Sequence, residues 1–274
     1  MKPIITFLTD FGLEDEWVGI CHGVIRNIVP EVEIIDITHQ IPSFDIKKGA
    51  FVLVSSLLFM PQGVHLAVVD PGVGGERKAI IIETTRGDFL VGPDNGLLIP
   101  AAQRLGGIKR AVEIKNEEYF LKPVSSTFHA RDVFAPISAH LARGVEMGSF
   151  GEPLDPSGLE PAPWSSSIIK GGEVEADIID IDKFGTLRLN SVGSDLAEVG
   201  IFKGDLVCIK WGSRHRDVPM VETFAEVASG KPLLLADSSG YVSIAVNLGR
   251  ADMEFDLKVG EKIRFEKREG SVIK

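Results

Sequence analysis

Three short segments carry the residue types that do chemistry, two of them where a chain leaving a β-strand is expected to turn and the third just before an expected helix. TDFGLEDEW presents Asp10, VDPGVGGERK presents Asp70 and Arg77, and STFHARDVFAP presents His129 between Phe128 and Ala130, with Asp132 close behind. An ionised carboxylate only accepts hydrogen bonds, which suits it to vicinal hydroxyls. Arginine is a permanent cation that steadies developing negative charge, and histidine moves or directs a proton near neutral pH. In an open α/β sheet such groups collect in the crevice outside the carboxyl ends of the strands. Thr38, His39, Asp94 and Asn95 stand at further strand ends and are expected to face the same crevice.

Taken singly, none of these residues decides a function. Asp10 has an ordinary reading as a helix N-terminal carboxylate, Arg77 as a surface cation, and His129 as a structural histidine. The DFG at 10–12 stands without the other signatures of a protein kinase. Gly72, Gly74 and Gly75 lack the GxxxxGK[ST] spacing of a phosphate-binding loop, so they are read as allowing tight turns or close approach.

The elements that must position these groups follow from periodicity. Ile4 to Leu8 reads as a first strand, followed by Trp17, Cys21, Val24, Ile25 and Ile28 at helical spacing up to Pro30. VEIIDIT (32–38), a helix over about 45–59 and VHLAVVD (64–70) repeat the pattern. This alternation predicts an α/β amino-terminal domain with a mostly parallel sheet. KAIIIET and DFLVGPDNG follow, joined by a turn at Arg86 and Gly87, then a short helix near Leu97 to Leu105 and another over Arg131 to Arg143 with Gly144 as its cap. Residues 151–169 hold four prolines and read as a Pro-rich linker, dividing an α/β domain (1–150) from a second domain (170–274). The second half alternates in short runs such as EVEADIIDID, DLVCIKW and YVSIAVN, predicting a smaller all-β, barrel-like domain.

Composition narrows the classes. With 44% hydrophobic residues the 274-residue chain can bury a substantial core. The net charge of −10, without a dense Lys/Arg block, disfavours nucleic acid. Cys21 and Cys208 form neither a CxxC nor a zinc spacing, so a reducing cytoplasm is expected. The amino terminus does not read as a signal peptide, and the apolar stretch 49–60 is shorter than a membrane span needs.

The segments TDFGLEDEWVG, DITHQIPSFDIKKGA, VDPGVGGERK, VGPDNGLL, STFHARDVFAP, DKFGTLRLN and SSGYVSIAVN occur in order across both halves. Through them the chain resembles the S-adenosylmethionine (SAM) hydrolases, also called SAM hydroxide adenosyltransferases, which are relatives of the fluorinase and chlorinase. The resemblance implies that Asp70, Arg77 and His129 form a triad around an attacking water, with no metal and no cofactor. It further implies that Asp10 holds the ribose hydroxyls, that Phe44 and Phe128 pack near the ligand, and that Asn95 shapes the nucleoside pocket. Asp182, Phe184 and Ser238 are similar to positions that hold the methionine part or the adenine. Family members are homotrimers with sites between subunits, so self-association and a small-molecule substrate are the partners implied.

Ala130 stands where the fluorinating relatives have a halide-binding serine, and Asp70 where they have a tyrosine. Thr186 departs from the asparagine common to the motif after FG, which bears on methionine or adenine recognition, and the turn at Arg86 replaces the inserted loop of the fluorinating relatives. Hydrolysis to adenosine and methionine is therefore the expected reaction, with halide transfer by a family member as the alternative. Two other readings have less behind them: a metallohydrolase using Asp10, His22, His39, Asp70 and His129, and a non-catalytic nucleoside-binding module.

Overall fold

A computed structural model describes residues 2–272, which divide into two compact units with the boundary between Pro163 and Trp164. The first unit is built on a seven-stranded sheet of β1 (Ile4–Thr9), β2 (Glu33–Thr38), β3 (Val64–Val68), β4 (Ala79–Thr84), β5 (Phe89–Pro93), β6 (Ile108–Ile114) and β7 (Gly151–Leu154), in the order β2-β1-β3-β5-β4-β6-β7. β2, β1, β3 and β5 run parallel, β4 and β7 run against their neighbours, and β6 returns to the common direction. The sheet is mostly parallel, as expected. β3 is buried along its whole length, which is why VHLAV reads as a continuous run rather than an alternation.

Helix α1 (Trp17–Ile28) buries Val18, Cys21 and Ile25, one apolar stripe at helical spacing. Those side chains share a core with Phe7, Leu66, Val68 and Phe134, and fully burying each large side chain contributes about 1.5–3 kcal/mol. Burial also pushes the Cys21 thiol up to about 12, so it serves as a small core hydrophobe. Helix α2 (Ile46–Leu57) starts at Asp45, whose carboxylate accepts from the Lys48 amide at 2.9 Å, a side-chain N-cap. The short α3 (Ile99–Arg104) packs on α2.

The helix expected over 131–143 begins differently. Residues Ala130–Phe134 form a π-helical turn that continues into α4 (Ala135–Ala142). Pro136 is the cause: it lacks the N–H that would reach the Asp132 carbonyl four residues back. That carbonyl instead accepts the Leu121 amide at 2.9 Å. Gly144, at φ +91°, closes the helix, with Val145 N–H reaching the His140 carbonyl at 3.0 Å.

The segment expected as a linker differs too. Its residues 151–154 are β7, paired with β6, and Glu160 donates its amide to Asp94 at 3.0 Å, so the first unit extends to Pro163. Pro153 is compatible with a strand there because β7 is an edge.

The second unit is antiparallel throughout its sheet. It holds β8 (Ile168–Lys170), β9 (Glu173–Ile181), β10 (Leu187–Val192), β11 (Asp205–Trp211), β12 (Arg214–Pro219), β13 (Pro232–Ala236), β14 (Tyr241–Val246) and β15 (Lys262–Val272). The order β12-β11-β15-β9-β10-β14-β13 nearly closes, with a single bridge between Met220 and Leu234 joining its ends, a barrel-like arrangement. Val174, Ala176 and Ile178 alternate inward and meet Leu187, Leu189, Ile209 and Ile244 in one core. Two short helices, α5 (Gly193–Glu198) and α6 (Ala251–Phe255), are added to the strands.

Candidate active site

The loop after β3 and the segment before the π-helical turn are far apart in sequence, and Gly74 lets them meet. Its φ is +75°, and a Cβ there would stand 2.2 Å from the Ser126 carbonyl oxygen, so only glycine allows the close approach. On the other side, the Asp132 carboxylate accepts the Ser125 amide at 2.7 Å, so both its carbonyl and its side chain hold the 121–128 loop.

Docked in this way, Asp70, Arg77 and His129 form one chain of bonds with arginine in the middle. Arg77 Nε donates to both Asp70 oxygens at 3.0 and 3.1 Å, and Nη2 donates to Oδ2 at 2.6 Å. The same Nη2 stands 2.9 Å from His129 Nδ1. A guanidinium has no acceptor, so His129 Nδ1 accepts, and the single proton of the neutral ring is carried on Nε2. Burial lowers the His129 pKa below its ordinary 6.5, and the adjacent Arg77 charge lowers it further, against the pull of Asp70 and Asp132. The guanidinium also lies 5.2 Å from the centre of the Phe134 ring, within cation–π range.

His129 and Asp70 line a cavity of about 620 Å³, together with Asp10, Phe44, Phe128 and Ala130. Here the expected groups do come together. Asp10 Oδ2 accepts the Phe44 amide at 2.8 Å. Phe44 needs that support, because it holds φ +68° while 69% exposed, a conformation that costs a bulky residue of order 1–3 kcal/mol. Arg131 reaches across the Phe128 ring at 5.1 Å and pairs with Asp132 at 2.6 Å. Trp17, Val73, Ser125 and Thr127 also line the cavity and were not singled out in the sequence, because neither their types nor their spacing carries a chemical signal.

Asn95 is placed elsewhere. It borders a smaller concavity with Glu76 and Asp94, and its amide donates to the Val69 carbonyl at 2.9 Å while its oxygen accepts from Leu97 N–H at 3.2 Å. It therefore holds the backbone beside Asp70 rather than facing the larger cavity.

In the second unit, Asp182, Phe184 and Ser238 line a cavity of about 880 Å³. Asp182 Oδ1 accepts the Phe184 and Thr186 amides at 2.9 and 3.0 Å, which shapes the turn, and Gly185 at φ +83° leaves no room for a Cβ against Arg250. Phe184 is left 66% exposed with Lys183 4.9 Å over its ring.

The model for the SAM hydroxide adenosyltransferase N-terminal domain matches residues 5–151, and that for the C-terminal domain of the same family matches 176–264. The chain belongs to the SAM hydroxide adenosyltransferase family. A relative named (R)-S-adenosyl-L-methionine hydrolase, from Salinispora tropica, is 40% identical over 96% of this chain and 97% of its own length. A fluorinase of Actinoplanes is more distant, 29% identical over 94% of this chain and 96% of its own. Among solved structures, an uncharacterized conserved protein from Thermotoga maritima matches with a TM-score of 0.89 and 36% identity, covering 96% of this chain and 99% of that one. Among the described residues, no helix of this hydroxide adenosyltransferase homologue is long and apolar enough to cross a membrane.

Proposed function

We propose that this protein hydrolyses S-adenosyl-L-methionine to adenosine and L-methionine at the Asp70–Arg77–His129 site. The observation that carries this reading is the bond order within the trio: arginine sits between the other two, so Asp70 and the Nε2–H of His129 are both turned to use in one cavity. A water oxygen forms a bond to the ribose 5′ carbon as the carbon–sulfur bond breaks, and its electron pair goes to sulfur. Methionine leaves as a neutral thioether, so no acid is needed. We assign the water's proton to the Asp70 carboxylate, because Nδ1 of His129 is spent on Arg77 and Nε2 already carries a proton. His129 is thus a donor that orients the water, and Arg77 fixes both partners. Aligning water with the 5′ carbon supplies up to roughly 7–11 kcal/mol in well-oriented systems.

Asp10 Oδ1 is the acceptor for the ribose hydroxyls, its other oxygen being held by Phe44. Phe44 and Phe128 offer apolar faces, and Asp182, Phe184 and Ser238 recognise the methionine or adenine end. The family resemblance supports a homotrimer whose sites are completed by a neighbouring subunit, with neither a metal nor a cofactor in the reaction, and the two free cysteines suit a reducing cytoplasm. Halide transfer is disfavoured by chemistry at the cavity wall: Ala130 offers a methyl in place of a hydroxyl donor, and the Asp70 carboxylate repels an anion. Incubating the protein with SAM, chelator and excess fluoride or chloride should give adenosine as the sole nucleoside; a 5′-halogenated nucleoside would defeat the hydrolase reading, and loss of turnover in chelator without a fall in Tm would defeat its metal-independence.

A further inference from the structure

His22 on α1, Asp36 on β2 and His39 just beyond β2 bring one ligand atom each to within 4.8 Å of one another, the only such grouping of three among the described residues. None of them belongs to the trio or to the wall of its cavity. Asp36 Oδ1 accepts from His22 Nε2 at 2.9 Å. His39 is 3% exposed, and its Nδ1 is hydrogen-bonded to Thr9 Oγ1 at 2.8 Å, which sets the ring with Nε2 3.1 Å from the same Asp36 oxygen. That approach is near enough for an ion pair but lacks hydrogen-bond alignment, and the buried Nε2 is left without a hydrogen-bond partner.

Neither form of the ring resolves this. With a proton on Nε2, the buried donor has only a poorly aligned carboxylate oxygen 3.1 Å away; without one, a lone pair faces that carboxylate. A cation resolves both, taking the lone pair of His39, the lone pair of His22 and the carboxylate at once. We propose that His22, Asp36 and His39 bind a borderline first-row divalent cation of the zinc class, as a clamp tying α1 to the edge of the sheet. Two imidazoles and one carboxylate favour such ions over magnesium or calcium, which take oxygen ligands. Bonds of about 2.0–2.1 Å in a tetrahedron place ligand atoms roughly 3.3–3.4 Å apart, so the two separations from Asp36 need to open by a few tenths of an ångström, while the one between the two imidazoles, within 4.8 Å, is free to close by rotation of His22. His22 and Asp36, with side chains 29% and 40% exposed, can give that much and leave a solvent side for a water as fourth ligand. The Thr9 bond to the far nitrogen of His39 is the support that metal-bound imidazoles use. Because the His39 carbonyl accepts Gly12 N–H at 2.7 Å, the clamp stands directly behind the loop that carries Asp10.

The test is metal binding by the full-length protein, stripped with chelator and dialysed, read by cobalt(II) visible absorption and by retained zinc after equilibrium dialysis. One retained ion per chain with ligand-field bands is expected, together with a zinc-dependent rise in Tm. His22→Ala and Asp36→Asn should weaken binding by more than the roughly 10–100-fold that losing a supporting hydrogen bond costs. Failure of the wild-type protein to retain metal overturns the proposal, as does metal retained equally by both variants. His22→Ala removes a partly exposed helix side chain, and isosteric Asp36→Asn decides the matter should that variant fold poorly.

Discussion

β3 has an aspartate, an arginine and a histidine at each end, and the set at its carboxyl end opens on the cavity of about 620 Å³ through Asp70 and His129. At the carboxyl end Arg77 is the middle member, bonded to Asp70 on one side and to His129 on the other. At the other end Asp88 is the middle member: it accepts from His65 Nε2 at 3.0 Å and from Arg86 at 2.6 and 3.0 Å, with Thr84 and the Gly63 amide adding further donors. The side chains of His65 and Asp88 are wholly buried, and the second nitrogen of His65 pairs with Thr6. Burial alone would raise the Asp88 pKa, but hydrogen bonds from His65 and Arg86 hold its carboxyl well below the usual carboxylate range. The same three residue types thus make a closed knot when the carboxylate is central and an open relay when the guanidinium is.

The comparison is broken most sharply by removing each centre. Arg77→Ala should cut kcat about 10³–10⁴-fold, since it releases both Asp70 and His129, and should also lower Tm, because the Asp70 side chain, 6% exposed, loses its ion-pair partner; a mild loss of turnover per folded molecule would mean that the arginine is not the link. Asp88→Asn should cost stability alone. Breaking a buried ionic group costs about 3–5 kcal/mol of stability in denaturant unfolding, with kcat per folded molecule preserved. His129→Ala removes one oriented donor, for an expected drop of about 10²–10³-fold in kcat. The double variant with Arg77→Ala should be little worse than Arg77→Ala alone; full additivity would show that the two act separately.

Smaller effects sharpen the same contrast. His129 takes up its proton below its ordinary 6.5, because burial and Arg77 both disfavour its cation. Protonation on Nδ1 would break the bond to Arg77, so the acid-side midpoint of activity should lie below pH 6.5. In Arg77→Ala one lowering influence is gone and Asp70 is left uncompensated, so the His129 titration, followed by NMR, should move upward. An unchanged titration would contradict the 2.9 Å contact as the source of coupling.

Much of this was legible in the sequence, for physical reasons that also mark where legibility ended. Strand and helix periods located β1, α1, β2, α2 and β3, because burying one stripe or one whole strand leaves a direct record in residue type. Asp70, Arg77, His129, Asp10, Phe44 and Phe128 were pointed to by the family resemblance their segments carry, not by their types alone, and the structure gathers them in one region. The order of bonds in the trio was not legible, since it depends on Gly74 meeting the Ser126 carbonyl and on the loop held by Asp132, contacts with no local signature. Pro136 did carry a readable signal for the π-helical turn, through the hydrogen bond it cannot make. β7 was hidden because an edge strand tolerates the prolines that otherwise mark a linker. His65 and Asp88 gave no sign, as a histidine inside an apolar strand and an aspartate after a turn are both ordinary.

The central claim is that water, activated at the open trio, attacks the ribose 5′ carbon. Running the reaction in water enriched in oxygen-18 and locating the label by mass spectrometry tests it most directly. The account predicts adenosine with one heavy oxygen at the 5′ position and unlabelled methionine; unlabelled adenosine, or label elsewhere, would contradict it.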